Sequence, residues 1–518
     1  MSYLAHQESR VSLISWWSDS NPGLQGPTIN LHTVAKPLMK WMYYRQAVDI
    51  IKKHRGRPLS VETLEIYSSY LPLNYVSWAT KVAIWAELAD RTTSQDDARA
   101  VVDSHIFPYL VQMLWSPDPG PRTTKIRTLF GEAVYALAQI ARRTEGAQAI
   151  VEAKALNHVL KLLESPNPDI RGWSSQLVGR LASHELTALA IRELKVGERL
   201  MSLLQDDSQV VEWGTFALSQ ITERLDDAKA IIDIKAAGNI LNLLESAGPN
   251  VQKWTCELVG TLADYESTAP AMWELNACEP LLSLLRTDNP QATEWAVGAL
   301  SRIALGFDGA QTILNAKAMD RILILLESPI PKIREYTCVL VGHLATHESI
   351  AQTILKLKPC VRLVSLLEHA YTGVIQGAMD ALCRIAKWED GAQAVVDAMV
   401  MNYLPTSLES PDSGVRCWTC RLLGNLASHR YSAFAVQNLK PYARLVSLLR
   451  DPDHNTLDGA IFALDVISEW PVGAAALADI DCSALEELRD DRSVDLETQV
   501  QAHSILKNIA RNKARLTT

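Results

Sequence analysis

Aligned with itself at a shift of about 41 residues, this chain matches repeatedly from about residue 130 to its end. The string Ala-Leu-x-x-Ile begins at Ala136, Ala217, Ala299, Ala381 and Ala463. Midway between lies Leu-(Val/Leu)-Gly-x-Leu-Ala, with its glycine at Gly179, Gly260, Gly342 and Gly424, so two 41-residue units alternate in an 82-residue pair. A period of this size means stacked supersecondary units, each burying its apolar face against its neighbours. The 518 residues therefore do not divide into several globular domains, because a repeat array extends its core in one dimension.

Within a unit the apolar spacing is helical. Leu200, Leu203 and Leu204 form one stripe, and a polar turn, Gln205 to Ser208, follows. A longer segment then carries Val210, Val211, Ala217, Leu218 and Ile221. In alternate units the turn holds proline, as at Ser165-Pro166-Asn167-Pro168 and Ser328-Pro329-Ile330-Pro331. Proline is tolerated in the first turn of a helix, so these breaks mark where each long helix starts. No window alternates like a strand, and the pattern predicts three helices per unit and no sheet. A small residue recurs near the end of nearly every long helix, including Gly179, Ser219, Gly260, Ser301, Gly342, Cys383 and Gly424, with Asp465 breaking the series. Glycine inside a helix costs about 1 kcal/mol against alanine, so its regular use predicts close approach of the next helix.

Three helices in 41 residues, the third long and ending in (Ala/Leu)-(Leu/Val)-(Ser/Gly)-x-(Leu/Ile)-(Ala/Thr), resemble the armadillo repeat. The short first helix resembles it too, in Gly146-Ala147-Gln148-Ala149-Ile150, Gly309-Ala310-Gln311-Thr312-Ile313 and Gly391-Ala392-Gln393-Ala394-Val395. The resemblance implies an all-α, right-handed α-solenoid of about 10–11 three-helix repeats. Residues 1–59 are expected as an N-terminal helical extension or cap, 60–115 as a weak first repeat, and 116–128 as a Pro/Gly-rich insertion. Residues 129–518 are the array with a charged C-terminal cap. In armadillo proteins the long third helices line a concave groove that grips an extended peptide or a partner helix. The nuclear-import receptors of the family use an Asn near the helix end with a Trp four residues before it. Here that Asn position reads Gln139, Arg180, Gln220, Thr261, Arg302, His343, Arg384, Asn425, Val466 and Asn508, and the Trp/Asn pair is absent.

Seven residues before that position stand Trp173, Trp213, Trp254, Trp295, Tyr336 and Trp418, with Gly377 and Gly459 in two other units. Seven helical residues turn 700°, within about 20° of the starting face, so these rings share the groove side with Arg180, Arg302, His343, Arg384 and Asn425. Indole and guanidinium groups are enriched in binding hot spots, which makes this column the candidate ligand-binding site. It is equally what padding between repeats would look like.

The partner expected is another protein, and the chain is read as an adaptor or scaffold. The alternative is an enzyme or small-molecule binder using the same aromatic lining as an enclosed pocket. A net charge of −9 without a basic face argues against nucleic acid. No apolar run approaches the 18 residues of a membrane span, and the N-terminus shows no secretory signal, so a cytoplasmic or nuclear location is expected. Cys417-x-x-Cys420 lacks a second pair, and Cys256, Cys338 and Cys420 occupy the same repeat position, which reads as core packing, not a metal or redox site. His184, His347 and His429, each at a long-helix end, are expected to cap helices and not to bind metal. No catalytic motif, metal site or cofactor site is expected.

Overall fold

The computed structural model describes residues 41–42, 45–46, 48–50, 52–53, 58–71, 78–114, 124–222, 237–245, 248–265, 267–274, 276–491 and 494–517. Most of the expected N-terminal extension and residues 116–123 of the expected insertion lie outside them. The chain forms two compact units, Met1–Thr187 and Ala188–Thr518. Among the described residues all regular structure is helical.

The first unit begins with Val61–Tyr70 and Trp78–Arg91, around a core that includes Tyr67, Trp85 and Leu88. The buried Arg91 pairs with Asp97, whose carboxylate also accepts the Leu59 amide at 2.6 Å. Two triplets follow the same plan. Gln95–Val102 and Phe107–Met113 precede the long helix Thr124–Ile140; Thr144–Glu152 and Leu156–Leu162 precede the long helix Pro168–Ala182.

The described residues of the second unit repeat the plan. Its long helices are Ser208–Ile221, Pro249–Asp264, Pro290–Ile303, Pro331–Ala345, Thr372–Ile385, Ser413–Ala427, His454–Glu469 and the terminal Leu496–Thr517. From Pro249–Asp264 onward two short helices separate successive long ones, as Phe307–Asn315 and Met319–Leu325 do. The helix starts follow sequence rules. Pro168, Pro249, Pro290 and Pro331 each occupy the first helical position, where no amide is lost. Asn167, Asn289, Asp412 and Asp453 cap with side-chain oxygens that accept amides of the first turn.

Successive units are braced through backbone carbonyls. His184 Nε2 donates to Ala141 O at 2.9 Å, His347 Nε2 to Leu305 O at 3.1 Å and His429 Nε2 to Lys387 O at 3.1 Å. Trp388 and Trp470 stand at the same repeat position, and their indole N–H groups donate to Ala345 O and Ala427 O at 2.9 and 2.7 Å. Each bond satisfies a carbonyl at the end of the previous long helix, where no intrahelical donor remains. A second brace has the 82-residue period: Arg171, Gln252, Arg334 and Arg416 donate to Ser165 O, Leu244 O, Ser328 O and Ser410 O.

The turn between the first and second helices has a left-handed residue at one repeated position: Lys154, Lys195, Asn276, Lys317, Lys358, Met399 and Lys440, with φ from 46° to 67°. None is glycine, although the left-handed region favours it. The lysines of this column are exposed.

Candidate binding face on the long helices

The alternation of glycine and alanine helices sets where the aromatic column can sit. In the second unit Gly260, Gly342 and Gly424 each face the next long helix. A Cβ on Gly342 would lie 3.0 Å from Ala381 Cα and 3.2 Å from Arg384 Cδ, and one on Gly260 would lie 3.3 Å from Ala299 Cα. Backbones touch there, as the glycine period predicts. The opposite sides of Pro249–Asp264 and Pro331–Ala345 face the preceding long helix, and an aromatic ring lies between them. The Phe216 and Trp254 ring centroids are 4.7 Å apart, and Tyr336 packs over Gly298, whose added Cβ would meet the ring at 3.9 Å. Within the first unit Trp173 meets Tyr135 in the same relation, at 4.4 Å. The ring of one unit therefore rests on the residue four before the Asn position of the unit before it.

All six candidate rings, Trp173, Trp213, Trp254, Trp295, Tyr336 and Trp418, are half-buried, with part of each side chain open to solvent. Trp213 meets Phe216 edge-on at 5.8 Å. Cations lie over three others: Lys253 Nζ is 4.1 Å from the Trp254 centroid, Lys332 Nζ 4.8 Å from Tyr336, and Arg421 5.4 Å from Trp418. Such contacts contribute about 0.5–1 kcal/mol at exposed sites. Where the column carries glycine it is for want of room: a Cβ on Gly377 would meet Cys338 Cβ at 3.2 Å, and one on Gly459 would meet Cys420 Cβ at 3.1 Å.

The polar members of the site already have partners within the chain. Arg302 Nε donates to Asp264 at 2.6 Å and Nη1 to Thr261 Oγ1 at 3.0 Å. Arg384 Nε donates to Asp380 at 2.7 Å. Burial pushes the Asp380 carboxyl above the usual carboxylate range in spite of that guanidinium. His343 Nδ1 donates to Ser301 O at 2.6 Å, and burial pulls its imidazole below the ordinary value. Asn425 Nδ2 donates to Cys383 O at 2.8 Å, and Asn508, the same position in the last unit, donates to Ser468 Oγ at 3.0 Å. In the first unit Arg180 is half-buried beside Arg142, and burial followed by that second cation lowers its pKa. The Asn column is thus largely a ladder between repeats, and the rings are the side chains it leaves open.

Reading the sequence missed Phe216 as the ring between Trp213 and Trp254, and the cations over the rings. The adjacency Lys253-Trp254 and the spacings Lys332-x-x-x-Tyr336 and Trp418-x-x-Arg421 are the signals that could have found those cations. Seven of the eight cysteines are buried, and Cys482 is partly so: burial raises the Cys417 and Cys420 thiols, and it pushes Cys256 up to about 12.

No family model matches the chain, and no curated protein matches it. Among solved structures it is similar to an engineered protein, 26% identical with a TM-score of 0.62, the match covering 78% of this chain and 98% of that one. Two further engineered proteins, 24% and 26% identical, cover 45% of this chain at a TM-score of 0.43, too low to carry an argument. The first likeness supports an all-helical, repeat-like architecture. No single described helix is long and apolar enough to cross a membrane.

Proposed function

We propose that the chain is an armadillo-type, right-handed solenoid that serves as a protein-binding adaptor, taking an extended peptide or a partner helix along its long helices. Residues 129–518 form the array, behind a weak first repeat at 60–115, an insertion at 116–128 and a cap at 1–59. The observation that supports this reading is the periodic row of half-open aromatic rings whose other edges are fixed by packing. Such rings offer large contact area at low entropic cost. Their cation-covered faces leave edges and gaps that suit apolar side chains of a ligand. A ligand carboxylate would have to compete with Asp264 or Asp380 for Arg302 or Arg384. Eight cysteines without a disulfide suit a reducing compartment, cytosol or nucleus, and the net charge of −9 suits a protein partner better than nucleic acid.

The test is a pull-down from lysate of the native cell with the intact chain beside Trp254→Ala/Trp295→Ala, analysing bound proteins and small molecules. A protein partner lost with the double variant is the expected result. Each substitution removes a half-buried ring and should cost about 1–2 kcal/mol of stability, below the full burial value, so the variant remains folded. Identical protein capture by both baits would make the row architecture alone. Retention of a small molecule without any protein would replace the adaptor reading with a ligand-binding one.

A further inference from the structure

Several large apolar side chains on the short first helices of the second unit are open to solvent. A cleft of about 660 Å³ is lined by Glu389, Arg430, Tyr431, Phe434, Trp470 and Val472, among others, within the size range of ligand pockets. It includes none of the aromatic column of the long helices. Phe434 is 66% exposed, Val472 57% and Tyr431 52%.

The repeat supplies its own control. Where Phe434 stands, the corresponding helices have Gln148, Gln311, Gln352 and Gln393; where Tyr431 stands, they have Glu145, Asp308, Ser349 and Asp390. Where Arg430 stands, the two preceding units have Glu348 and Glu389. One other helix departs similarly, with Leu186 and Leu189. The helix Arg430–Leu439 thus exchanges a polar face for two aromatics and reverses a charge, in positions that contribute nothing to its own core. Exposed aromatic patches of this kind mark interaction sites.

The walls of the cleft are held in place. Trp470 donates its indole N–H to Ala427 O at 2.7 Å, and Tyr431 donates its hydroxyl to Asp397 Oδ1 at 3.2 Å. Arg430 makes no ion pair among the described residues, although Glu389 occupies the equivalent place one unit earlier. A fixed aromatic floor beside an uncommitted guanidinium is complementary to a bulky apolar group next to a carboxylate.

We propose that this cleft is a second docking site, separate from the long-helix face, for a peptide segment of a partner protein in which a large apolar residue adjoins an aspartate or glutamate. The apolar side chain enters between Phe434, Trp470 and Val472, and the carboxylate pairs with Arg430.

The test pans a phage-displayed random octapeptide library on the full chain and measures affinities of the enriched peptides by fluorescence polarisation. The comparison protein is Arg430→Glu/Tyr431→Asp/Phe434→Gln, whose new residues all occur at the same position in other units and so fit the helix. Support is an enriched apolar-acidic motif that loses about tenfold or more in affinity with the triple variant, as loss of an aromatic anchor does, and is unchanged by Trp254→Ala/Trp295→Ala. That second arm separates this cleft from the long-helix reading. The proposal is overturned if no enriched peptide distinguishes the triple variant, if those that do carry basic residues, or if only the Trp double variant loses them. Concentration-dependent self-association of the native chain, absent from the triple variant in sedimentation, would assign the face to a second copy and overturn it equally.

Discussion

A single added methyl group separates two kinds of glycine in these helices. At Gly342 the methyl would lie 3.0 Å from Ala381 Cα, a backbone atom that cannot turn aside. At Gly298 it would meet only the Tyr336 ring, at 3.9 Å, an ordinary contact. Alanine gains about 1 kcal/mol over glycine in a helix interior, while overpacking a close contact costs about 1–3 kcal/mol. Gly342→Ala is therefore expected to destabilise by about 1–2 kcal/mol, and Gly298→Ala to be neutral or to stabilise by up to about 1 kcal/mol. Urea unfolding of both variants checks the opposite signs; a loss of equal size at both positions would refute the close-approach account.

At the scale of elements, side chains that cross from one unit to the next hold the stack. Arg416 holds the almost fully buried Asp451 with two bonds of 2.9 Å each and also donates to Ser410 O. Burial alone would raise the Asp451 pKa, but the Arg416 bonds and the Asp453 amide outweigh it and hold the carboxyl below its usual value. A depressed folded value means the pair contributes its full stability above the unfolded value of about 3.9. That contribution disappears as pH falls through the folded value. Arg416→Met leaves a buried carboxylate without its partner and should cost about 3 kcal/mol at pH 7. The deficit should shrink as both proteins are acidified below about pH 4. Urea melts at pH 7 and pH 3 measure it, and a deficit independent of pH would make the loss one of packing.

Much of this level could be read from residues. The prolines at 168, 249 and 331 stand at the first helical positions that the breaks of the alternate units were expected to mark, and Gly260, Gly342 and Gly424 make the close approach their period implied. Other features have no local signal. The left-handed turn residue is lysine five times, methionine once and asparagine once; only the asparagine favours that conformation by itself, and at the others the stacked helices on both sides impose it. Arg302 and Arg384 could be located as groove positions, but not their partners. Asp264 lies 38 residues from Arg302, and only the superposition of units brings the two together. His347 and Trp388 share one capping role, which sequence chemistry does not reveal because an imidazole and an indole resemble each other only as N–H donors.

For the second unit as a whole, the true building block is the 82-residue pair and not the 41-residue repeat. Pro249–Asp264 and Pro331–Ala345 each touch the helix after them and reach the helix before them through an aromatic ring, so along this stretch the two kinds of interface alternate. Deleting residues 330–411 removes one full pair and joins Pro329 to Asp412, the residue that caps Ser413–Ala427. Trp418 then takes the place of Tyr336 over Gly298, and the Gly424 contact with Ala463 is untouched. Deleting residues 330–370 removes one 41-residue unit and sets Thr372–Ile385 beside Pro290–Ile303. Gly377 then stands where the Tyr336 ring was, and the space over Gly298 is left empty. Removing a half-buried aromatic and leaving its space empty costs about 1–2 kcal/mol, whereas a solenoid loses or gains whole compatible units at modest cost. The longer deletion is therefore expected to keep a single cooperative thermal transition close to that of the intact chain. The shorter one should be the less stable, although it discards half as many residues. Circular dichroism melts of the two variants decide it. Equal stability, or the reverse order, would show that all interfaces are interchangeable and that the alternation of glycine and aromatic helices carries no structural code.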